Sequence, residues 1–545
     1  MPEVTVHHFQ RAAADIGARG DNDTLPFDID TRFVKAKQGE LALAAFAFWS
    51  QLKSDGPTNS DKKVDALTVF HERLLTPAGS SGFRITTKIH PFWSVYLNGL
   101  AIAVAEAIEP DRDPGARSYR YDSAGEHELF DRAASWRRFR EDGLTLAAQD
   151  DAFVVQTDVS SFYEHVSHHY LQNALNDVFP DGRLGNQINA LLGKFSSGRS
   201  FGLPVGGQAS RILAELFMNA VDHELTSSGL TWLRYVDDYL LLAKSAEDAY
   251  RALSTLSYAL GNYGLSLNKT KTVILTSKHY RDFVSAQLGG AGENAARLVA
   301  IDLHFDPYSD TAMVDYESLK ETVAGLEVQT ILNQELDKGL PDNFLVSQIT
   351  RTLRLQAPKD ALNIVATLLE PKNLNSFRGS WAAVMRGVNA VRMDPAFDEI
   401  HSGVDWYLDR VPEQCSHLLQ AEGSILHYLR TLYGGHTKPR ALYVRKVFDS
   451  ARSETVKRAC IECWRRWNDR PAFTTVRNGW SSMTPECQRS LWLASYSFGD
   501  QGEAARRQLN SNMATSLKLG IEAQNQKDTF GKAFLQWCDD EKDSA

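Results

Sequence analysis

The sequence predicts an α+β protein in two parts. A split βαβ, ferredoxin-like sheet falls within residues 1–300, and an all-α domain follows over residues 301–545. Three observations predict this. Strand-like and helix-like segments alternate from about residue 80 to 300, and from Phe153 onward they run strand, helix, helix, hairpin, helix, strand. After residue 301 strand signals are scarce, and amphipathic patterns follow one another, each broken by Pro, Gly or Asn. The chain has 545 residues, 43% apolar and 23% charged, which is ordinary globular composition with length for two or three domains.

The elements follow in order. The N-terminal stretch "MPEVTVHHFQRAAADIGARG" has no basic segment leading into an apolar one, which argues against a secretory signal. No apolar run is read as reaching the roughly 18–20 residues of a membrane span, so the expectation is a cytoplasmic protein with no membrane contact. "GELALAAFAFWSQL" reads as helix and the polar "KSDGPTNSDKK" after it as a loop. Phe153 to Thr157 is a β-branched run that ends at Asp158 and then turns helical. Within "FGLPVGGQASRILAELFMNAVDHEL", the glycines of 202–207 let backbone approach a bulky planar partner, and a helix follows. "LTWLRYV" and "YLLLAK" form a hairpin with Asp237 and Asp238 at its tip. Ser245 caps a helix that closes near Gly264, and "LSLNKTKTVIL" returns as a strand carrying Lys269 and Lys271.

The helical half reads as a HEAT-like stack of helix pairs or as an irregular helical domain. All five cysteines lie there, from Cys415 to Cys538. Cys460 and Cys463 form a lone C-x-x-C in a helical pattern, which fits buried thiols better than zinc. The net charge of −9 leaves no global basic footprint for coating nucleic acid, though a local groove is compatible with it.

The chemistry lies at the hairpin. Acids favour turns, so Asp237 and Asp238 alone read as a polar tip, and Asp158 alone reads as a helix N-cap. Yet Tyr235, Val236, Tyr239 and Leu240 to Leu242 press against the pair. In apolar surroundings two like charges raise each other's pKa unless a cation compensates. Mg²⁺ suits a few carboxylates plus substrate phosphates. The sheet puts Asp158 and Asp237 on adjacent strands. Carboxylates around a metal pair about 3.5–4 Å apart, with a lysine for the leaving group, are the apparatus of in-line phosphoryl transfer.

These segments carry a resemblance. "YVDD" at 235–238 resembles the catalytic motif of reverse transcriptases, and "TDVSSFY" at 157–163 resembles their first acidic motif. "GLPVGGQAS" at 202–210 resembles their template- and nucleotide-facing loop, and "GLSLNKTKT" at 264–272 the motif bearing a pyrophosphate-facing lysine, here Lys271. The motifs span roughly residues 80 to 290. "SSFY", "ASRILAE", "SYRY" at 118–121 and the long helical half look like the bacterial abortive-infection or defence-associated group, the unknown-group reverse transcriptases.

The resemblance implies fingers and palm over 1–300 and a HEAT-like domain in place of a thumb. It implies an antiphage RNA-directed DNA polymerase acting on dNTPs with Mg²⁺, for which Mn²⁺ can substitute, and working as a homo-oligomer. Some members make DNA without a template and prime it from a protein hydroxyl, so that the DNA product is covalently attached. Others copy a noncoding RNA. Asp158, Asp237 and Asp238, with the backbone of Val159, would hold the metals. Tyr163 would sit under the sugar and exclude a ribose, with Phe162 as the competing ring. Gly206 and Ser210 would face the nucleotide, and Arg120, with Lys88, would meet the triphosphate. Val205 stands where many relatives carry a hydrogen-bonding Gln. Viral RNA polymerases usually carry Gly in place of Val236, which favours DNA synthesis. No tyrosine precedes Tyr96, so a protein primer would be sought among Tyr407, Tyr428, Tyr433, Tyr443 and Tyr496, at a Ser, or on RNA.

Two alternatives accompany this expectation. One is a retron- or intron-like enzyme copying a structured noncoding RNA. The other is a non-catalytic scaffold in which the palm is a relic and the helices bind a partner.

Overall fold

The structure is a computed structural model, and it describes residues 2–54, 64–79, 82–125, 128–131, 135–289, 293–300, 312–338, 341–521 and 529–541. The boundary predicted at residue 301 lies outside these residues, as does all of "KSDGPTNSDKK" beyond residue 54. Two strands, β1 (His71–Ala78) and β2 (Gly82–Ile89), form a separate antiparallel hairpin. The other four make one antiparallel sheet: β3 (Phe153–Asp158), β4 (Thr231–Tyr235), β5 (Asp238–Ala243) and β6 (Val273–Thr276), in the spatial order β4-β5-β3-β6.

Both faces of this sheet are covered, which is why its strands read as continuous apolar runs rather than strict alternation. Val155, Leu241 and Trp232 join the main core beneath the helices Gln208–Ser227 and Ala246–Asn262. Val154, Leu240 and Leu233 point the other way, into a smaller cluster with Phe139, Tyr280 and Val284. Ser245 caps its helix as expected, accepting the Asp248 N–H at 3.1 Å.

One expectation is corrected. The 18-residue helix Pro91–Ile108 is long and apolar enough to cross a membrane, so such a run does exist. Nearly all of it is buried within the chain, and it serves as the central core helix. Gly99 lets the helix Val6–Arg19 lie close: a Cβ there would meet the Phe9 ring at 2.3 Å.

Beyond residue 312 every described element is helical. Helices alternate between two rows. Asn343–Thr352, Trp381–Arg392, Glu422–Thr431, Glu454–Trp467 and Pro485–Ser495 pack successively in one row. Pro358–Leu369, His401–Gln414 and Lys438–Ser450 lie behind them. Several helices start on a capping side chain with Pro in the first turn, the local signal that made this half legible. Thr437, Asp469 and Thr484 cap in this way. All five cysteines are free and buried.

The first row packs on the N-terminal part. Glu422 accepts the Leu75 N–H of β1 at 3.0 Å, and Glu72 accepts the N–H groups of Glu454 and Thr455, both at 2.9 Å, capping that helix from outside. Asp30 is buried against Arg458 at 2.7 Å. His427 bonds the Thr24 carbonyl at 3.0 Å. The helix Thr529–Glu541 returns to place Phe530, Phe534 and Trp537 around Phe33.

Candidate active site

β3 ends on Asp158 and β5 opens on Asp238, and the two residues are directly paired across the antiparallel ladder. Asp237 is not on a strand, as the sequence suggested. It is the second residue of the two-residue turn Val236–Asp237 joining β4 to β5. Its carbonyl accepts the Val159 N–H at 3.0 Å, tying the turn to the end of β3. Val159 therefore spends its N–H on the turn and buries its side chain.

Lys271 arrives by a similar clamp. Asn268 donates its N–H to the Asp158 carbonyl at 2.8 Å, and Ser160 donates to Ser266 at 2.8 Å. Lys269 and Lys271 lie in this turn rather than on the strand, which begins only at Val273. The Lys271 ammonium reaches Asp158 Oδ2 at 2.5 Å. That hydrogen bond raises the proton affinity of Lys271.

Burial, reinforced by the charge of Asp238, pushes the Asp237 carboxyl up to about 6. Burial raises Asp238 as well, with Arg140 pulling against it. Among the described residues Asp158 Oδ1 is buried with no hydrogen-bond partner. No group of three or more His, Cys, Asp or Glu side chains among the described residues is already gathered as a cation cage. The donor chemistry nevertheless fits a hard divalent cation: three carboxylates, one with an orphaned oxygen and two whose ionised forms burial disfavours.

The structure sorts the remaining expected residues. Phe162 is in the core. Tyr163 is half-buried, its ring lies 5.4 Å from that of Phe162, and burial raises its hydroxyl well above the usual range. Gly206, Ser210, Arg120 and Lys88 have other partners. Gly206 has φ +114°, and a Cβ there would meet the Asn22 carboxamide at 2.2 Å, so its close partner is the chain's own N-terminal segment. Asn22 Nδ2 bonds the Val205 carbonyl at 3.3 Å, and Thr86 Oγ1 donates to the same oxygen at 2.9 Å. Ser210 is buried and donates to the Pro204 carbonyl at 2.5 Å, closing the loop on itself. Arg120 pairs with Glu109 at 2.5 Å and donates to the Asp113 and Ala116 carbonyls at 3.0 and 3.2 Å. It lines a separate cleft of about 770 Å³ with Arg117, Arg138 and Asp142. Lys88 is buried between Asp21 and Asp28, each at 2.9 Å. Basic and small residues look alike in sequence whether they serve a ligand or the chain itself.

Two cations escaped the sequence reading. Arg211 stacks over Tyr119 at 5.1 Å, donates to Gln208 Oε1 at 2.7 Å and pairs with Asp23. Its signal was its place one residue after Ser210, in the first turn of the helix Gln208–Ser227. Arg140 acts on Asp238 from the helix Trp136–Leu146, and nothing in the sequence pointed to it.

Residues 126–288 match the family of reverse transcriptases (RNA-dependent DNA polymerases), so the carboxylates, the Gly-rich loop and Lys271 all fall inside a reverse-transcriptase domain. The match begins well after residue 80, where the motif reading started. The chain is 25% identical over 160 residues to the retron Ec86 reverse transcriptase of Escherichia coli, covering 28% of this chain and 48% of the relative. It thus spans about half the length of that curated relative. Among solved structures, telomerase of Candida albicans with a fragment of telomeric RNA is 13% identical, covering 63% of this chain and 65% of the other, at a TM-score of 0.32. Apo telomerase of Candida tropicalis is 12% identical, covering 71% of this chain and 73% of the other, also at 0.32.

Proposed function

We propose that this protein is an RNA-directed DNA polymerase that extends a primer with dNTPs on a structured noncoding RNA, as the retron-like reading holds. The observation that carries the proposal is the meeting of Asp158, Asp237, Asp238 and Lys271 at one end of the β3–β5 pair, inside the reverse-transcriptase segment. The match to a retron enzyme supports RNA copying over other uses of the same chemistry.

Asp158, Asp237 and Asp238 would hold Mg²⁺ or Mn²⁺. Such ions lower the pKa of an attacking 3′-hydroxyl and neutralise the leaving pyrophosphate. The chain's own groups do the rest. Lys271, a cation already directed at the carboxylates, supplies a proton and positive charge to the departing pyrophosphate. Tyr163 would present its ring under the sugar, where a ribose 2′-oxygen would collide. Arg211 brings positive charge to the same wall.

A second reading is the defence-associated one, with untemplated, protein-primed synthesis by a cytoplasmic homo-oligomer. Val205 favours it, because its side chain has no hydrogen-bond donor for the nucleotide. Against it, Tyr428, one of the candidate primers, is buried and donates its hydroxyl to the Leu408 carbonyl at 2.8 Å. The two-row alternation of helices supports a HEAT-like reading of the C-terminal half, which would then present a partner surface.

The test is to purify the protein, supply Mg²⁺ and labelled dNTPs, and sequence the nucleic acid that copurifies. A defined RNA complementary to the DNA product supports the proposal. DNA bonded to protein and matching no template transfers support to the second reading. No incorporation by folded protein on any template and primer overturns both.

A further inference from the structure

Val236 is a β-branched residue with φ +60°, in the first position of the turn that presents Asp237. That position in a two-residue hairpin favours Gly, because a side chain there crowds its own backbone. Both backbone polar groups of Val236 are held from below. Its N–H donates to Ser118 Oγ at 2.9 Å, and its carbonyl accepts from Arg234 Nη1 at 2.9 Å. The two holding groups converge on one carboxylate. Ser118 Oγ donates to Glu215, and Arg234 donates to both Glu215 oxygens at 3.2 and 2.9 Å. Arg112 completes the hub, donating to Glu215 at 2.5 Å and to the Ser118 carbonyl at 2.8 Å. Asp222 takes the other edge of Arg234 at 2.9 Å. Ser118, Glu215, Asp222, Arg112 and Arg234 are all buried.

A buried ionic cluster is poor evidence for stability, since apolar side chains of equal volume often stabilise as well or better. What apolar side chains could not do is donate to and accept from a backbone held at positive φ. We propose that Glu215, acting through Ser118 and Arg234, is a positioning residue that holds the Val236 turn in place and so sets where Asp237 and Asp238 stand. The proposal rests on the polymerase reading only for its activity readout.

The test is a double-mutant cycle of Ser118→Ala and Val236→Gly. Ser118→Ala removes one hydroxyl and leaves the Arg234 ion pairs intact. Gly at 236 adopts the turn without crowding, so it should need no hold. Misplacing catalytic groups by about 1 Å costs roughly 100-fold, so Ser118→Ala should lower kcat by about 10- to 100-fold while KM for dNTP stays within about twofold. In the Val236→Gly background the same change should cost less than about threefold. Mn²⁺ affinity, read by paramagnetic resonance in all four proteins, should show the same coupling without any need for turnover. Equal losses in both backgrounds, or no loss from Ser118→Ala, overturn the proposal. Coupling in Mn²⁺ affinity with no dNTP incorporation sustains the positioning role and sinks the polymerase reading instead. An unsubstituted protein that binds no Mn²⁺ overturns both.

Discussion

His427 gives the sharpest handle on how the helical half grips the N-terminal segment. It lies on the helix Glu422–Thr431, 3% exposed, and its Nε2–H donates to the Thr24 carbonyl at 3.0 Å. Burial pushes the imidazole down to about 4, against the Thr24 hydrogen bond, and the Arg386 guanidinium adds to the fall. The ordinary value is 6.5, so the folded ring stays neutral well below the pH at which an unfolded one takes a proton. At about 1.4 kcal/mol for each tenfold in proton affinity, the difference is worth roughly 3 kcal/mol. Above pH 6.5 the ring is neutral folded and unfolded, and no cost arises. As pH falls from 6.5 towards 4 the unfolded ring takes a proton that the folded ring refuses, and this stability is lost. The perturbation is His427→Gln, whose amide can still donate to Thr24 but cannot ionise. Hydrogen exchange in residues 21–30, corrected for intrinsic rate, should lose about 100-fold more protection in the wild type than in the variant between pH 7 and pH 4. If both lose protection alike, His427 is not the acid-labile link and the reasoning fails.

Three further outcomes are expected. Asp237→Asn combined with Asp238→Asn should abolish dNTP incorporation and leave the melting temperature in EDTA equal or higher, because burial and like charge already disfavour both carboxylates; a clear drop in melting temperature would point to a structural role. Tyr163→Ala should narrow the ratio of kcat/KM between deoxy- and ribonucleotides, whereas Phe162→Ala, in the core, should cost about 3–5 kcal/mol of stability. Lys271→Met should change stability by less than about 1 kcal/mol, since the Lys271 side chain is mostly exposed. It should also slow single-turnover incorporation by roughly 100-fold or more and flatten the alkaline limb of the pH–rate profile.

Much of the carboxylate site was legible in the linear sequence, because its chemistry is local. Asp158 stands at the end of a β-branched run, Asp237 and Asp238 stand between two apolar strands, and Lys271 follows a Gly-closed helix; each is marked by its neighbours in the chain. The helical half was legible for the same reason, through caps, Pro in first turns and a repeating apolar stripe. Helix Pro91–Ile108 was misjudged because an apolar run reads the same whether lipid or protein surrounds it. Gly206, Ser210, Arg120 and Lys88 have partners within the chain that their residue types do not name. Asn22, Pro204, Glu109 and Asp21 became those partners only when distant segments met. Glu215 lies 97 positions from Ser118 and 19 from Arg234, yet one carboxylate joins both beneath Val236. Local sequence settles which groups stand at strand ends and turns. Which of them share a proton, a cation or a strained backbone depends on low-dielectric contacts between remote segments, and only the tertiary structure decides those.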